Sequence, residues 1–212
     1  MAITRIIKPS ITDDAVDNTK LDLASNYAFS GTVSGTPQGM TLINSTSSTT
    51  TVTSFNIDNV FSSTYKFYRI YMRVEYTQNT GFYMRLLDSS GTVRLVNYFY
   101  NDLSMFNNGT SALYQGTNVS SWFNGRPSGG NVAGGGNRGH HYVIDMYDPY
   151  GTSVTHTFQK LMGWNDAAGF YYSGTFIGHN TNQESHRGFT VVGNSGPNIM
   201  QHDVKVYGVT NV

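Results

Sequence analysis

KFYRIYMRVEYT, Lys66–Thr77, decides the fold. Tyr68, Ile70, Met72, Val74 and Tyr76 fall on one side of an extended chain. Phe67, Arg69, Tyr71, Arg73 and Glu75 fall on the other. Successive side chains of a strand point to opposite faces, so alternation held over this length marks a half-buried antiparallel strand. The same period returns in His140–Tyr147, with Tyr142, Ile144 and Met146 opposed to His141, Val143, Asp145 and Tyr147.

Around these two strands the chain offers further short ones at roughly ten-residue spacing, divided by turn residues. Met40–Asn44 and Val52–Ile57 flank Ser45–Thr50, a Ser/Thr run read as a turn. Asp58–Ser63 is read as a short helix or turn. Gly81–Leu87 and Thr92–Asn101 flank Asp88-Ser-Ser-Gly as a hairpin. Leu103–Asn124 lacks a clear period and reads as surface chain or sandwich edge. Gly125–Gly139 (GRPSGGNVAGGGNRG) reads as a loop, and Asp148-Pro-Tyr-Gly as a turn. Ser153–Trp164, Gly169–Gly178, Gly188–Val192 and Asp203–Val209 complete the strands. No segment longer than ten residues has helical periodicity. The expectation is an all-β head over residues 39–212, an antiparallel β-sandwich of jelly-roll type.

Residues 1–38 read differently. Ile11, Val16, Leu21 and Leu23 stand isolated among Asp, Asn and Thr, matching neither a helical stripe nor a strand. Such a segment buries no core of its own and orders only against copies of itself or a partner. Tyr27, Phe29, Gly31 and Val33 then alternate with small residues up to a Gly-Thr-Pro turn signal. We read this stretch as an extended N-terminal arm.

Composition narrows function. The 212 residues carry 13 basic and 13 acidic side chains, a formal net charge of zero, and only 12% charged residues. A neutral chain has no electrostatic footprint for nucleic acid or an anionic membrane surface. There is no run of 18 apolar residues, so no membrane insertion is expected. Cysteine is absent, which excludes disulfides and thiolate metal sites. Fifteen Tyr, 12 Phe and 23 Gly with few charges describe a β protein that stays soluble by assembling rather than by net charge.

Catalytic and metal signatures were sought as residue constellations. G-x-S-x-G, H-E-x-x-H and P-loop patterns do not occur. Asp145, Asp148, Asp166 and Glu184 are scattered, so no glycosidase pair is indicated. His140 and His141 point to opposite faces of a strand. His141 and Asp145 share a face but lie roughly 13 Å apart, too far for joint ligation. No cofactor, metal or enzymatic activity is expected. Aromatic residues near turns are the candidates for ligand contact: Trp122, Trp164 with Asn165 and Asp166, and Tyr171 with Tyr172. A flat apolar ring with hydrogen-bonding groups at its rim suits a sugar. The opposing reading, which their size favours, is that the two Trp residues fill the ends of the core.

ITDDAVDNTKLDL (11–23) followed by YAFSGTVSGTP (27–37) resembles linker and stalk segments of tail fibres and other virion proteins of tailed bacteriophages, especially those of marine bacteria and cyanobacteria. In that family I-T-x-x-A-V-x-x-x-K-L units recur in tandem as trimeric stalks; this chain has one unit. The closing DVKVYGV (203–209) is similar to the last strand of small β-sandwich heads on such proteins. The resemblance implies a virion protein assembled in the host cytoplasm, a homotrimer anchored to other tail or capsid proteins through Ile11, Val16, Leu21, Leu23, Tyr27 and Phe29. The head is then expected to bind host-surface polysaccharide or neighbouring virion proteins. A capsid decoration protein is the alternative, and a glycan-degrading tailspike is disfavoured because the chain is short and lacks a β-helix period.

Overall fold

The structure is a computed structural model, described here for residues 39–76, 82–107, 109–124, 140–165, 170–194 and 199–209. The chain divides into two units, Met1–Thr36 and Pro37–Val212. The arm residues Ile11, Val16, Leu21, Leu23, Tyr27 and Phe29 therefore lie outside the described residues, as do Asp166 and the 125–139 segment.

The head is all β, with no helix among the described residues. Its strands are β1 (Met40–Ser48), β2 (Ser54–Ile57), β3 (Phe67–Tyr76), β4 (Phe82–Asp88), β5 (Tyr98–Phe106), β6 (Ser111–Val119), β7 (Trp122–Asn124), β8 (His140–Tyr147), β9 (Thr155–Asn165), β10 (Phe170–Asn180), β11 (His186–Gly193) and β12 (Ile199–Val209). An eight-stranded sheet runs β1-β12-β3-β8-β9-β10-β5-β6, and a four-stranded sheet runs β2-β11-β4-β7. Every pairing is antiparallel.

Setting aside β5, β6, β9 and β10 leaves two four-stranded sheets, β1-β12-β3-β8 and β2-β11-β4-β7. The first strand pairs with the last, the second with the second-last, and the chain alternates between sheets at each end. That is jelly-roll connectivity. The other four strands are two inserted hairpins. β5–β6 leaves between β4 and β7, β9–β10 leaves between β8 and β11, and together they extend the first sheet beyond β8.

The alternation read from the sequence sets the core. Tyr68, Ile70, Met72, Val74 and Tyr76 of β3 are buried, as are Tyr142, Ile144 and Met146 of β8. They meet Val204 and Val206 of β12, and Met84, Leu86, Phe189 and Val191 from the smaller sheet.

Four local expectations need correction. Ser45–Ser48 is not a turn: it continues β1, paired with β12 from Ser45↔Lys205 to Ser48↔His202. Hydroxyl side chains suit an edge strand whose outer border meets water. Asp58–Ser63 is not helical; Asn59 takes a positive φ of 54°, and the amides of Val60 and Phe61 donate to the Arg187 carbonyl. The hairpin after β4 ends early: the amide of Arg94 donates to the Leu86 carbonyl, and the chain then crosses to the other sheet as β5. Leu103–Asn124 is not irregular surface chain but the last four residues of β5, with β6 and β7, each of which lies at an edge of its sheet as the other reading had it.

Candidate functional site

Six residues were expected to contact ligand, and five of them lie among the described residues. Trp122 is fully buried, its Nε1 donating to the His179 carbonyl at 3.2 Å and its ring edge-on to Tyr98 at 5.1 Å. Gly178 makes the room, since a Cβ there would sit 2.9 Å from Trp122 Nε1. Tyr172 is also core: its hydroxyl lies 3.0 Å from His140 Nδ1, and its ring crosses Gly163, where a Cβ would sit 2.5 Å from the hydroxyl. Trp122 and Tyr172 therefore present no surface to a sugar. Trp164 and Asn165 are placed by backbone alone, Trp164 opposite Tyr171 and Asn165 opposite Phe170 across the β9–β10 ladder. Asp166 is outside the described residues. Tyr171 alone is placed on the surface, 61% exposed.

Tyr171 opens onto a larger feature, the outward face of β9, β10, β5 and β6. Leu103, Met105, Leu113, Met162, Tyr171 and Ile177 are each between 47% and 61% exposed. Strand register gathers them. Met162 and Met105 flank Ser173, Leu103 lies opposite Leu113, and Ile177 opposite Phe158. Neighbouring strands are roughly 4.8 Å apart, so these side chains form one surface. Around Tyr171, Met105, Met162 and Asn107 it dips into a shallow cleft of about 310 Å³.

Charge distinguishes this half of the sheet from the other. On the inserted strands Lys160 is the sole charged outward side chain among the described residues. On β3, β8 and β12 the outward face carries Arg69, Arg73, Glu75, Asp145, Asp203 and Lys205. There Arg69 grips Asp145 through two hydrogen bonds of 2.7 and 2.8 Å, and Arg73 pairs with Glu75. The salt bridge with Asp145 raises Arg69 further above its already high ordinary value.

The inner face of the inserted strands is mixed: Tyr98, Phe106, Leu161, Tyr172 and Phe176 join the core, and polar side chains are buried beside them. Asp102, Ser104, Thr157 and Gln159 are buried. Asp102 accepts from the Ser104 hydroxyl at 3.3 Å, while its Oδ2, the Gln159 Oε1 and the Thr155 hydroxyl have no hydrogen-bond partner among the described residues. Burial pushes the Asp102 carboxyl up to about 6, against the Ser104 bond, which acts to lower it.

A second surface lies where the chain entering β3 meets the chain leaving β8. Ser62, Ser63, Tyr65, Lys66, Asp148 and Tyr150, with the 151–153 turn, line a cleft of about 420 Å³. Both loops are pinned from beneath. The Tyr68 hydroxyl donates to the Ser62 carbonyl and accepts from the Ser62 amide, and the Asp148 amide donates to the Lys66 carbonyl. Asp148 takes a φ of 50°, a left-handed conformation uncommon outside glycine and found at turns and functional sites. Burial pushes its carboxyl up, but hydrogen bonds from Ser153 and Lys66, with the Lys66 charge, outweigh this and hold it below its ordinary value. Sequence reading took Asp148-Pro-Tyr-Gly only as a turn, which it is, and passed over Tyr65 and Tyr150. Only tertiary structure joins segments some eighty residues apart.

Comparison with protein-family models, curated proteins and solved structures finds no match for this chain.

Proposed function

We propose that the chain is a non-enzymatic structural protein of a phage virion, of the tail-fibre type. Its N-terminal arm attaches it to the particle, and its jelly-roll head projects to make contacts with neighbouring virion proteins or with host-surface glycan. The observation that carries this reading is the broad, apolar, nearly uncharged outer face of the inserted strands. Monomeric soluble proteins rarely leave contiguous apolar patches above a few hundred Å² uncovered, and larger ones mark interaction sites. Joined to an arm sequence that resembles fibre stalks, such a face belongs to a protein that works by assembling.

Antibody raised against the head and applied to intact particles tests the reading. Label on the tail supports the fibre type, and label on the shell supports the decoration alternative. Particles that carry none of the protein refute both.

Host-glycan binding by the head has its own support in the cleft between Tyr65 and Tyr150. Two ring systems beside Ser and Thr hydroxyls, one carboxylate and one ammonium group are the inventory of saccharide recognition.

A further inference from the structure

The outward face of the inserted strands is large enough, and neutral enough, to name its occupant. The six apolar side chains, each about half exposed, contribute on the order of 600 Å² if each offers roughly 100 Å², about half of what a Tyr buries in full. Adding the polar residues between them brings the surface near the roughly 800 Å² per partner of a standard stable interface.

The chemistry between the apolar residues is self-complementary. Asn101, Gln115, Ser173 and Thr175 alternate with Leu103, Met105, Leu113 and Ile177 on the same outward face. Amides and hydroxyls both donate and accept, so each can bond to the same group on an identical surface. An isologous contact requires this, because the same patch meets itself about a two-fold axis. Lys160 is the sole charged group on the face among the described residues, so a copy brings almost no like-charge repulsion. A strongly charged partner would find little to pair with. The charged half of the same sheet, with Arg69, Arg73 and Lys205, lacks this property.

We propose that the outer face of β9, β10, β5 and β6 is a self-association surface whose occupant is a second copy of this chain. The inference deepens the structural reading above by naming a surface that makes the assembly.

The chain contains no cysteine, so one introduced thiol reports one position. Leu113→Cys, Met162→Cys and Ile177→Cys, made singly in the full-length chain, change side chains at least 58% exposed, and Lys205→Cys on the charged half serves as control. Alkylation rates are measured against protein concentration, with sedimentation on the same samples. At a total concentration about ten times the dimer dissociation constant about a fifth of the chains are monomeric, so the three face thiols should react roughly fivefold more slowly than the control, and dilution should remove the difference. Adding Met105→Lys, at another exposed position, should abolish the protection. Face thiols that react at the control rate at every concentration overturn the proposal, even where sedimentation finds an oligomer, because that oligomer is then held elsewhere. Protection that persists in a sedimenting monomer also overturns it, since the occupant is then the chain's own arm. These measurements use purified protein, so they stand or fall separately from the labelling of particles.

Discussion

Replacing Asp102 by Asn should stabilise the head at neutral and alkaline pH, and the size of the gain follows from the burial of one carboxyl. Asp102 is fully buried on β5, flanked across the ladders by Phe176 of β10 and Tyr114 of β6, and accepts a hydrogen bond from the Ser104 hydroxyl. Burial raises it from 3.8 to about 6. A folded-state value above the unfolded one means that the protonated acid is tolerated and the carboxylate is not. The associated stability is fully present below pH 3.8 and is lost as pH rises through 6. A shift of about two units costs about 3 kcal/mol once ionisation is complete. Asn keeps the acceptor for Ser104 and cannot ionise. Urea melts of both proteins from pH 4 to 8 should coincide at pH 4 and diverge by about 3 kcal/mol by pH 8, the variant being the more stable. Curves that stay parallel, or a variant weaker than wild type at pH 8, would refute the argument; the latter would mean that the carboxylate has a cationic partner.

The remaining predictions concern three other groups. Burial lowers His186, which is fully buried, from 6.5 to about 4, so its stability contribution is present above pH 6.5 and lost as pH falls toward 4, about 3 kcal/mol in all; its imidazole resonances should stay neutral to near pH 4, and a midpoint near 6.5 would contradict the burial. Trp122→Ala should cost about 3–5 kcal/mol in a urea melt while leaving any glycan adsorption of the surviving folded protein unchanged, and a loss below 1 kcal/mol would remove Trp122 from the core. Tyr150→Ala, at a 39% exposed position, should leave the melt within about 0.5 kcal/mol and weaken adsorption to host cells roughly tenfold; unchanged adsorption would exclude the 62–66/148–153 cleft as the glycan site.

What was legible in the sequence follows the polarity of each strand. β3 and β8 could be read because their apolar residues face inward and their charges outward, so alternation and burial agree. β5 could not, because Asp102 and Ser104 are inside while Leu103 and Met105 are outside. The period of two is present there, but its phase relative to polarity is reversed, and a reading that places apolar residues in the core finds no strand. β1 was cut short for a related reason, since its hydroxyl-rich second half draws its order from the β12 ladder rather than from burial. Trp122 and Tyr172 could not be assigned to the core from the sequence because their neighbours are distant in the chain. Gly163 stands beside Tyr172 only once β9 and β10 pair, and Gly178 beside Trp122 only once the two sheets pack, and they turn two residues that resembled a platform into core.

The reversed phase also ties together observations that otherwise stand apart. On the inserted strands the inner face holds an acid, a hydroxyl and an amide with unmet hydrogen-bonding capacity, while the outer face exposes thioether, aliphatic and phenol groups. Both departures work against an isolated head: buried polar atoms lose hydration, and exposed apolar ones order water. The eight jelly-roll strands supply most of the core, from β3, β8, β12 and the smaller sheet, and the hairpins add Tyr98, Phe106, Leu161, Tyr172 and Phe176. Two hairpins that enlarge one sheet and also expose an apolar outer face therefore serve a contact as well as the fold. Covering that face recovers about 25 cal/mol for each Å² of apolar surface removed from water, which on the order of 600 Å² per copy turns into a large driving force for association. Stability of the head and assembly through its outer face are then linked, and a substitution such as Met105→Lys should weaken assembly without unfolding the domain that displays it.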